Sequence, residues 1–138
     1  MEKINTQHLE KCIETLEKSL VYLKKSEEDS IEYEMFRNSL VKGFEITLEQ
    51  SGKLLKKKLT PYFSSKKAVD QLTFKDIFRY ANKHSLMDEG AVKRWFSYRD
   101  NRNSTAHDYG VAFAEETLIL AETLIKDAKN LRGMVDDR

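Results

Sequence analysis

An all-α fold, an antiparallel up-and-down four-helix bundle with a short accessory helix, is what the amino-acid sequence predicts. Three observations lead there. Apolar residues recur every three or four positions along most of the chain, while the two-residue alternation of a half-buried strand is hard to find. Only one proline and five glycines punctuate the sequence. Its 138 residues suit a single domain, 1–138, able to bury roughly two-thirds of the surface of the unfolded chain without disulfides or metal.

The first helix is expected from about Asn5 to Lys25, with Leu9, Cys12, Ile13, Leu16, Leu20 and Leu23 on one stripe. Ser26 followed by Asp29 has the spacing of a capping box and is read as the start of the second helix. That helix carries Ile31, Met35, Phe36, Leu40, Phe44, Leu48, Ser51 and Leu55 and ends near Leu59, because Pro61 disfavours helical geometry at the residue before it. Tyr62 to Gln71 reads as a connection with room for one short helical turn. Thr73 and Asp76 then cap a short helix through Ile77, Phe78, Tyr80 and Ala81. After a break from His84 to Gly90, a further helix carries Val92, Trp95, Phe96 and Arg99. It is expected to fade between Asn101 and Thr105, whose side chains compete for backbone hydrogen bonds. Gly110 marks the break before a last helix faced by Phe113, Leu118, Ala121, Leu124, Ile125, Ala128 and Leu131.

Composition narrows the function classes. Charged residues make up 34 % of the chain yet sum to +1, so global charge gives no argument for nucleic-acid binding, and DNA is not expected as a partner. A local basic stretch, Lys53, Lys56, Lys57, Lys58, Lys66 and Lys67, reads first as solvated helix ends. No apolar run approaches the roughly 20 residues that span a bilayer, and Met1-Glu2-Lys3 lacks a signal-peptide core. A soluble, cytoplasmic protein without a membrane partner is the expectation. The lone Cys12 lies among apolar positions and reads as a buried structural thiol. His8, His84 and His107 lack metal-ligand spacing, so no metal is expected, and no cofactor motif is present.

The pattern breaks at Arg99-Asp100-Asn101-Arg102-Asn103-Ser104-Thr105-Ala106-His107-Asp108-Tyr109. Arg102 and His107 stand five residues apart, which separates them by about 140° on an uninterrupted helix. They converge on one ligand only where the helix ends between them, and the poor helix formers from Ser104 onward favour such an end. Arg102 can hold a phosphate through two parallel hydrogen bonds. His107 titrates near neutrality and can take a proton from a ribose 2′-hydroxyl or give one to a leaving oxygen. Together they suit metal-independent RNA cleavage. One histidine is lean for a reaction needing both a base and an acid, and a symmetric dimer would supply the second. Trp95, Phe96 and Tyr98 read as core rather than as a base-stacking platform, and Asp100 and Asp108 are candidates to pair with the arginines.

The motif Arg102, four residues, His107, one residue, Tyr109 resembles the signature of HEPN-domain proteins. More narrowly it is similar to the branch paired with a minimal nucleotidyltransferase, described as nucleotidyltransferase substrate-binding proteins. Asn103, the polar residue directly after the arginine, also fits as a supporting residue. The segment from Phe36 to Glu49 resembles the arginine-then-Phe-Glu helix of that branch, and Gly90 to Asn103 resembles its lead into the motif. The likeness spans roughly residues 5 to 132. It implies a dimerising helical bundle with the Arg and His of both subunits lining a shared cleft. It further implies a metal-independent endoribonuclease, the toxin of a toxin–antitoxin pair, silenced by its nucleotidyltransferase partner through AMP transfer to the motif tyrosine. Carried over residue by residue, Arg102 binds the scissile phosphate, His107 handles the proton and Tyr109 is the modified hydroxyl. Lys93, Arg94 and Arg99 add positive charge on the way into the motif and are weak candidates for RNA contact. The RNA, whether tRNA or message, is not specified by the sequence.

Two other functions compete with the enzyme. One is a catalytically inert subunit that docks a minimal nucleotidyltransferase and presents its substrate, a reading favoured by the branch's description and the near-neutral charge. The other is a helical adaptor without chemistry.

Overall fold

The computed structural model describes residues 3–105 and 111–136, with side chains over 3–101 and 115–136. Among the described residues six α-helices follow one another: α1 (Gln7–Lys25), α2 (Ile31–Leu59), α3 (Lys66–Asp70), α4 (Phe74–Lys83), α5 (Glu89–Thr105) and α6 (Val111–Asp136), with a 3₁₀ turn at Thr60–Tyr62. The chain is all-α, as its apolar spacing requires.

Helix α1 buries Leu9, Cys12, Ile13, Leu16, Leu20 and Leu23, the whole expected stripe. It runs antiparallel to α2, since Ser19 bonds Ser39 at 2.8 Å, Tyr22 stacks on Phe36 at 5.3 Å and Gly43 meets Leu16. It also runs antiparallel to α6, through the ion pairs Glu10–Arg132, Glu17–Lys129 and Lys24–Glu122. Helix α5 is antiparallel to α6, with Asn101 beside Thr117 and Arg94 beside Asp127. The four long helices therefore alternate in direction, as an up-and-down bundle demands.

Three sequence expectations need correction. Ser26 does not start α2. It closes α1, its hydroxyl donating to the Tyr22 carbonyl, while Ser30 caps α2 by accepting from the Tyr33 N–H. A capping-box spacing at the end of one helix mimicked the start of the next. Second, the stripe on α2 overreaches: Ile31 and Met35 are 74 % and 61 % exposed, and burial begins in earnest at Leu40. Third, the accessory element is more than one helix. The connection after α2 holds the 3₁₀ turn, which contains Pro61, and α3, and α4 is an integral part of the core between α2 and α5. Its Phe78 is fully buried and stacks on Trp95 at 4.9 Å, and its Phe74 ring sits so close to Gly52 of α2 that a Cβ there would meet it at 2.8 Å. The capping box at Thr73 and Asp76 is present as expected. It holds the Asp76 carboxyl below its ordinary value, chiefly through the bond from the Thr73 N–H.

Among the described residues no helix is long and apolar enough to cross a membrane. Cys12 is buried, and burial pushes its thiol above the usual value, so it remains protonated and inert at neutral pH.

Candidate functional site

The site is organised by α5, whose start is set by Asp88: its Oδ1 accepts from the Ala91 N–H at 2.7 Å and its carbonyl from Val92. Val92, Trp95, Tyr98 and Asn101 then face inward, all less than a tenth exposed. Trp95 lies between Phe78 and Tyr98, stacked on the first and edge-on to the second at 5.4 Å. Tyr98 in turn meets Phe44 of α2 edge-on at 6.1 Å. Trp95 and Tyr98 are thus core residues. Phe96 lies partly buried beneath Lys75 and Arg79.

An ionic cluster joins α5 to α6. Arg94 donates to both carboxylate oxygens of Asp127, Nε at 2.9 Å and Nη2 at 3.0 Å, and the Tyr98 hydroxyl donates to the same carboxylate at 2.5 Å. The fork-to-fork geometry is the one in which an arginine–carboxylate pair is strongest. Burial first, and then the bond to Asp127, raise the Tyr98 phenol well above its ordinary value. Asp127 likewise holds Arg94 more firmly in its charged form. Asp127 stands within the apolar stripe of α6, three residues after Leu124 and four before Leu131. A charge in that position is the sequence signal of a buried partner, and apolar spacing alone passes over it.

Asp127→Ala is expected to strand both donors and destabilise the protein by about 1–3 kcal/mol, measured by urea denaturation. The raised Tyr98 phenol contributes stability that is present below the ordinary tyrosine value near 10 and lost as pH climbs above it. Ultraviolet titration should accordingly find one tyrosine of the native protein that does not ionise with the others.

The remaining basic candidates are dispersed. Lys93 is exposed beside Glu89 at 3.8 Å, and the Arg99 guanidinium lies over the Phe74 ring at 4.9 Å. Arg94 is occupied by Asp127. Lys56 pairs with Asp70 at 2.8 Å, and Asp100 accepts from Lys75 of α4 at 2.7 Å. A cleft of about 190 Å³ adjoins the ion pair, lined by Met87, Arg94, Trp95, Asp127, Asn130 and Met134. Its Arg94 stands eight residues before Arg102, about 12 Å along the helix axis.

Helix α5 does not fade at Asn101 but persists through Thr105, so the backbone of Arg102 and Asn103 is helical. Asn101, 4 % exposed, explains part of this: its Oδ1 accepts from the Thr117 hydroxyl of α6 at 3.3 Å, which ties down the last turns. His107, Asp108 and Tyr109, and with them the expected convergence on Arg102, lie outside the described residues. The motif nevertheless has a definite place in the chain, from the last turn of α5 to just before α6 at Val111. Because α1 is antiparallel to α6, this end of the bundle is also where α1 finishes and α2 begins. Among the described residues no cluster of three or more His, Cys, Asp or Glu is arranged to hold a metal ion.

One family model matches nearly the whole chain. The profile of the family described as nucleotidyltransferase substrate binding protein like matches residues 4–135. A Haemophilus influenzae protein named probable ribonuclease HepT is 29 % identical over 112 residues, 78 % of this chain and 75 % of the relative. Among solved structures, a second likeness comes from Haemophilus influenzae, a protein described as revealing the fold of a substrate binding domain of a nucleotidyltransferase. It superposes with a TM-score of 0.80 at 23 % identity, covering 95 % of this chain and 98 % of the other. A Thermus thermophilus protein superposes with a TM-score of 0.66 at 22 % identity, covering 89 % and 99 %. At those identities the structural likenesses speak for the fold.

Proposed function

Since the chain belongs to the nucleotidyltransferase substrate-binding protein-like family, we propose that it is the RNA-cleaving toxin of a pair whose antitoxin is a minimal nucleotidyltransferase. The observation that carries the reading is the set Arg102, His107 and Tyr109, which runs in the sequence from the end of α5 to just before α6, the two helices that the Asn101–Thr117 and Arg94–Asp127 contacts lock together. The relative named probable ribonuclease HepT supports it.

The chemistry needs no metal. Arg102 holds the scissile phosphate and offsets the charge that builds on its oxygens. His107 of one subunit accepts the 2′-hydroxyl proton as that oxygen bonds to phosphorus. The phosphorus–5′-oxygen bond breaks, and the protonated His107 of a second subunit returns a proton to the leaving 5′-oxygen. The products are a 2′,3′-cyclic phosphate and a free 5′-hydroxyl. Asn103 supports Arg102, and Lys93 and Arg99 are the peripheral cations along which RNA approaches. Arg94, bonded to Asp127 through Nε and Nη2, has less to offer RNA than these two.

The homodimer that this scheme requires has a surface available to it. Ile31 and Met35 at the start of α2 and Ile119 in the first half of α6 are 74 %, 61 % and 69 % exposed, and exposed apolar side chains of this kind are the ones to test for association. The double variant Met35→Lys and Ile119→Lys is expected to be monomeric by light scattering and to lose cleavage in proportion. A dimer that persists in this variant places the contact elsewhere.

Silencing follows from electrostatics: an AMP on Tyr109 sets a negative charge beside Arg102, where the RNA phosphate must sit. Intact-mass spectrometry of the protein expressed with and without its nucleotidyltransferase tests the pairing. The expected result is a gain of one or more AMP units that Tyr109→Phe abolishes. An unmodified mass, with an active partner and ATP present, favours instead an inert docking subunit, the reading closest to the family's own description.

A further inference from the structure

The last buried side chain of α5 before Arg102 is an amide. Asn101 is 4 % exposed and Thr117 fully buried, and the two meet across α5 and α6 at 3.3 Å. The Nδ2 of Asn101 is buried as well, with no acceptor among the described residues. A leucine at 101 and a valine at 117 would fill similar space without burying polar atoms, so an amide and a hydroxyl desolvated for one bond of 3.3 Å cost stability relative to an apolar pair. Buried polar groups that cost stability tend to sit where geometry matters for function.

The geometry here is specific. Apolar contacts along α5 tolerate rotation of the helix about its axis, whereas a hydrogen bond to a neighbouring helix fixes the phase. Arg102 follows Asn101 by one residue, about 100° around the helix, so the bond to Thr117 sets the direction in which α5 delivers the 102 position. We propose that Asn101 and Thr117 are positioning residues for the motif, a hydrogen-bonded latch between α5 and α6 that sets Arg102 relative to the start of α6. The proposal rests on the ribonuclease reading and deepens it.

A misplacement of about 1 Å at reacting groups costs on the order of 100-fold in rate, so loosening the latch should cost at least roughly tenfold. The discriminating pair is Thr117→Val, which keeps the shape and loses the hydroxyl, against Thr117→Ser, which keeps the hydroxyl and loses a methyl. A merely structural role makes activity follow packing, so that the serine variant is the more impaired. A latch gives the opposite order. The full-length variants are assayed on a single-stranded RNA oligonucleotide, with melting temperature and dimer state recorded alongside. Thr117→Val leaves the Asn101 carbonyl unpaired and is expected to melt a few degrees lower, with kcat, assayed well below that temperature, down at least roughly tenfold and KM within about threefold; Thr117→Ser should keep most of its kcat despite the lost methyl. Asn101→Leu with Thr117→Val should melt at or above wild type and still cleave poorly. Wild-type cleavage by a stably folded Thr117→Val protein overturns the proposal. Where the unsubstituted protein cuts no RNA, the ribonuclease reading fails on its own, and the same ordering is read from the rate of AMP addition at Tyr109. A protein that is neither cleaving nor modified overturns both.

Discussion

His107→Ala is expected to remove RNA cleavage and growth inhibition while the protein folds, dimerises and melts as before. General acid–base catalysis by a positioned side chain contributes about 10²–10⁴-fold. In a symmetric dimer the substitution deletes the base from one subunit and the acid from the other, so the upper part of that range applies. Arg102→Ala should be comparably severe through loss of phosphate binding, but His107→Ala separates proton transfer from affinity: kcat falls and KM changes little. The pH profile supplies a second signature. With two imidazoles in opposite protonation states, the wild-type rate should peak near neutrality and fall on both sides, a bell that a mixed dimer with one altered subunit loses. Cleavage by His107→Ala at the wild-type rate would end the assignment of proton transfer to His107, whereas a wild-type protein that cuts no RNA would leave the docking subunit as the reading.

What the residues revealed in advance, and what they hid, divides along the range of the interactions. Helix α1 was readable because a single stripe of six apolar residues is buried along its entire length. The capping box at Thr73 was readable because both partners lie within one turn. The start of α2 is not legible locally, because Ser26 and Ser30 both carry cap chemistry, and only the path of the chain decides which closes α1 and which opens α2. Ile31 and Met35 have the right spacing for a core stripe, yet they stand exposed at one end of the bundle. The motif itself was legible as a string of residue types, since Arg102, His107 and Tyr109 carry chemistry wherever they stand. Its supports were not. Arg94 with Asp127 and Asn101 with Thr117 join positions 33 and 16 residues apart, and no local period encodes such pairings. Each left only a polar residue within an apolar stripe as a trace.

Trp95→Ala should be the most damaging substitution in the scaffold. Trp95 is 1 % exposed, stacks on Phe78 of α4, and packs edge-on against Tyr98, so one ring secures both the short helix and the residue that donates to Asp127. Truncating a fully buried tryptophan costs about 3–5 kcal/mol in lost burial and cavity formation. Against a total stability of about 5–15 kcal/mol, that leaves the protein marginal, with a melting temperature lowered by roughly 10–15 °C. Trp95→Phe should cost less, because a six-membered ring still stacks on Phe78. Differential scanning calorimetry checks both. The variant also decides how α4 belongs to the fold. If α4 were a peripheral attachment, losing its stacking partner would release it alone, and the melt would split into a weak early transition and a largely unchanged main one. Because Phe78 is buried together with α5 and the Phe74 ring packs on Gly52 of α2, a single cooperative transition at lower temperature is expected instead. Cleavage by Trp95→Ala, assayed well below its melting point, should then recover most of the wild-type rate, since the ring supports the scaffold and takes no part in the chemistry. That contrast with His107→Ala, stable and inactive, assigns catalysis to the motif and leaves folding to the helices that hold it.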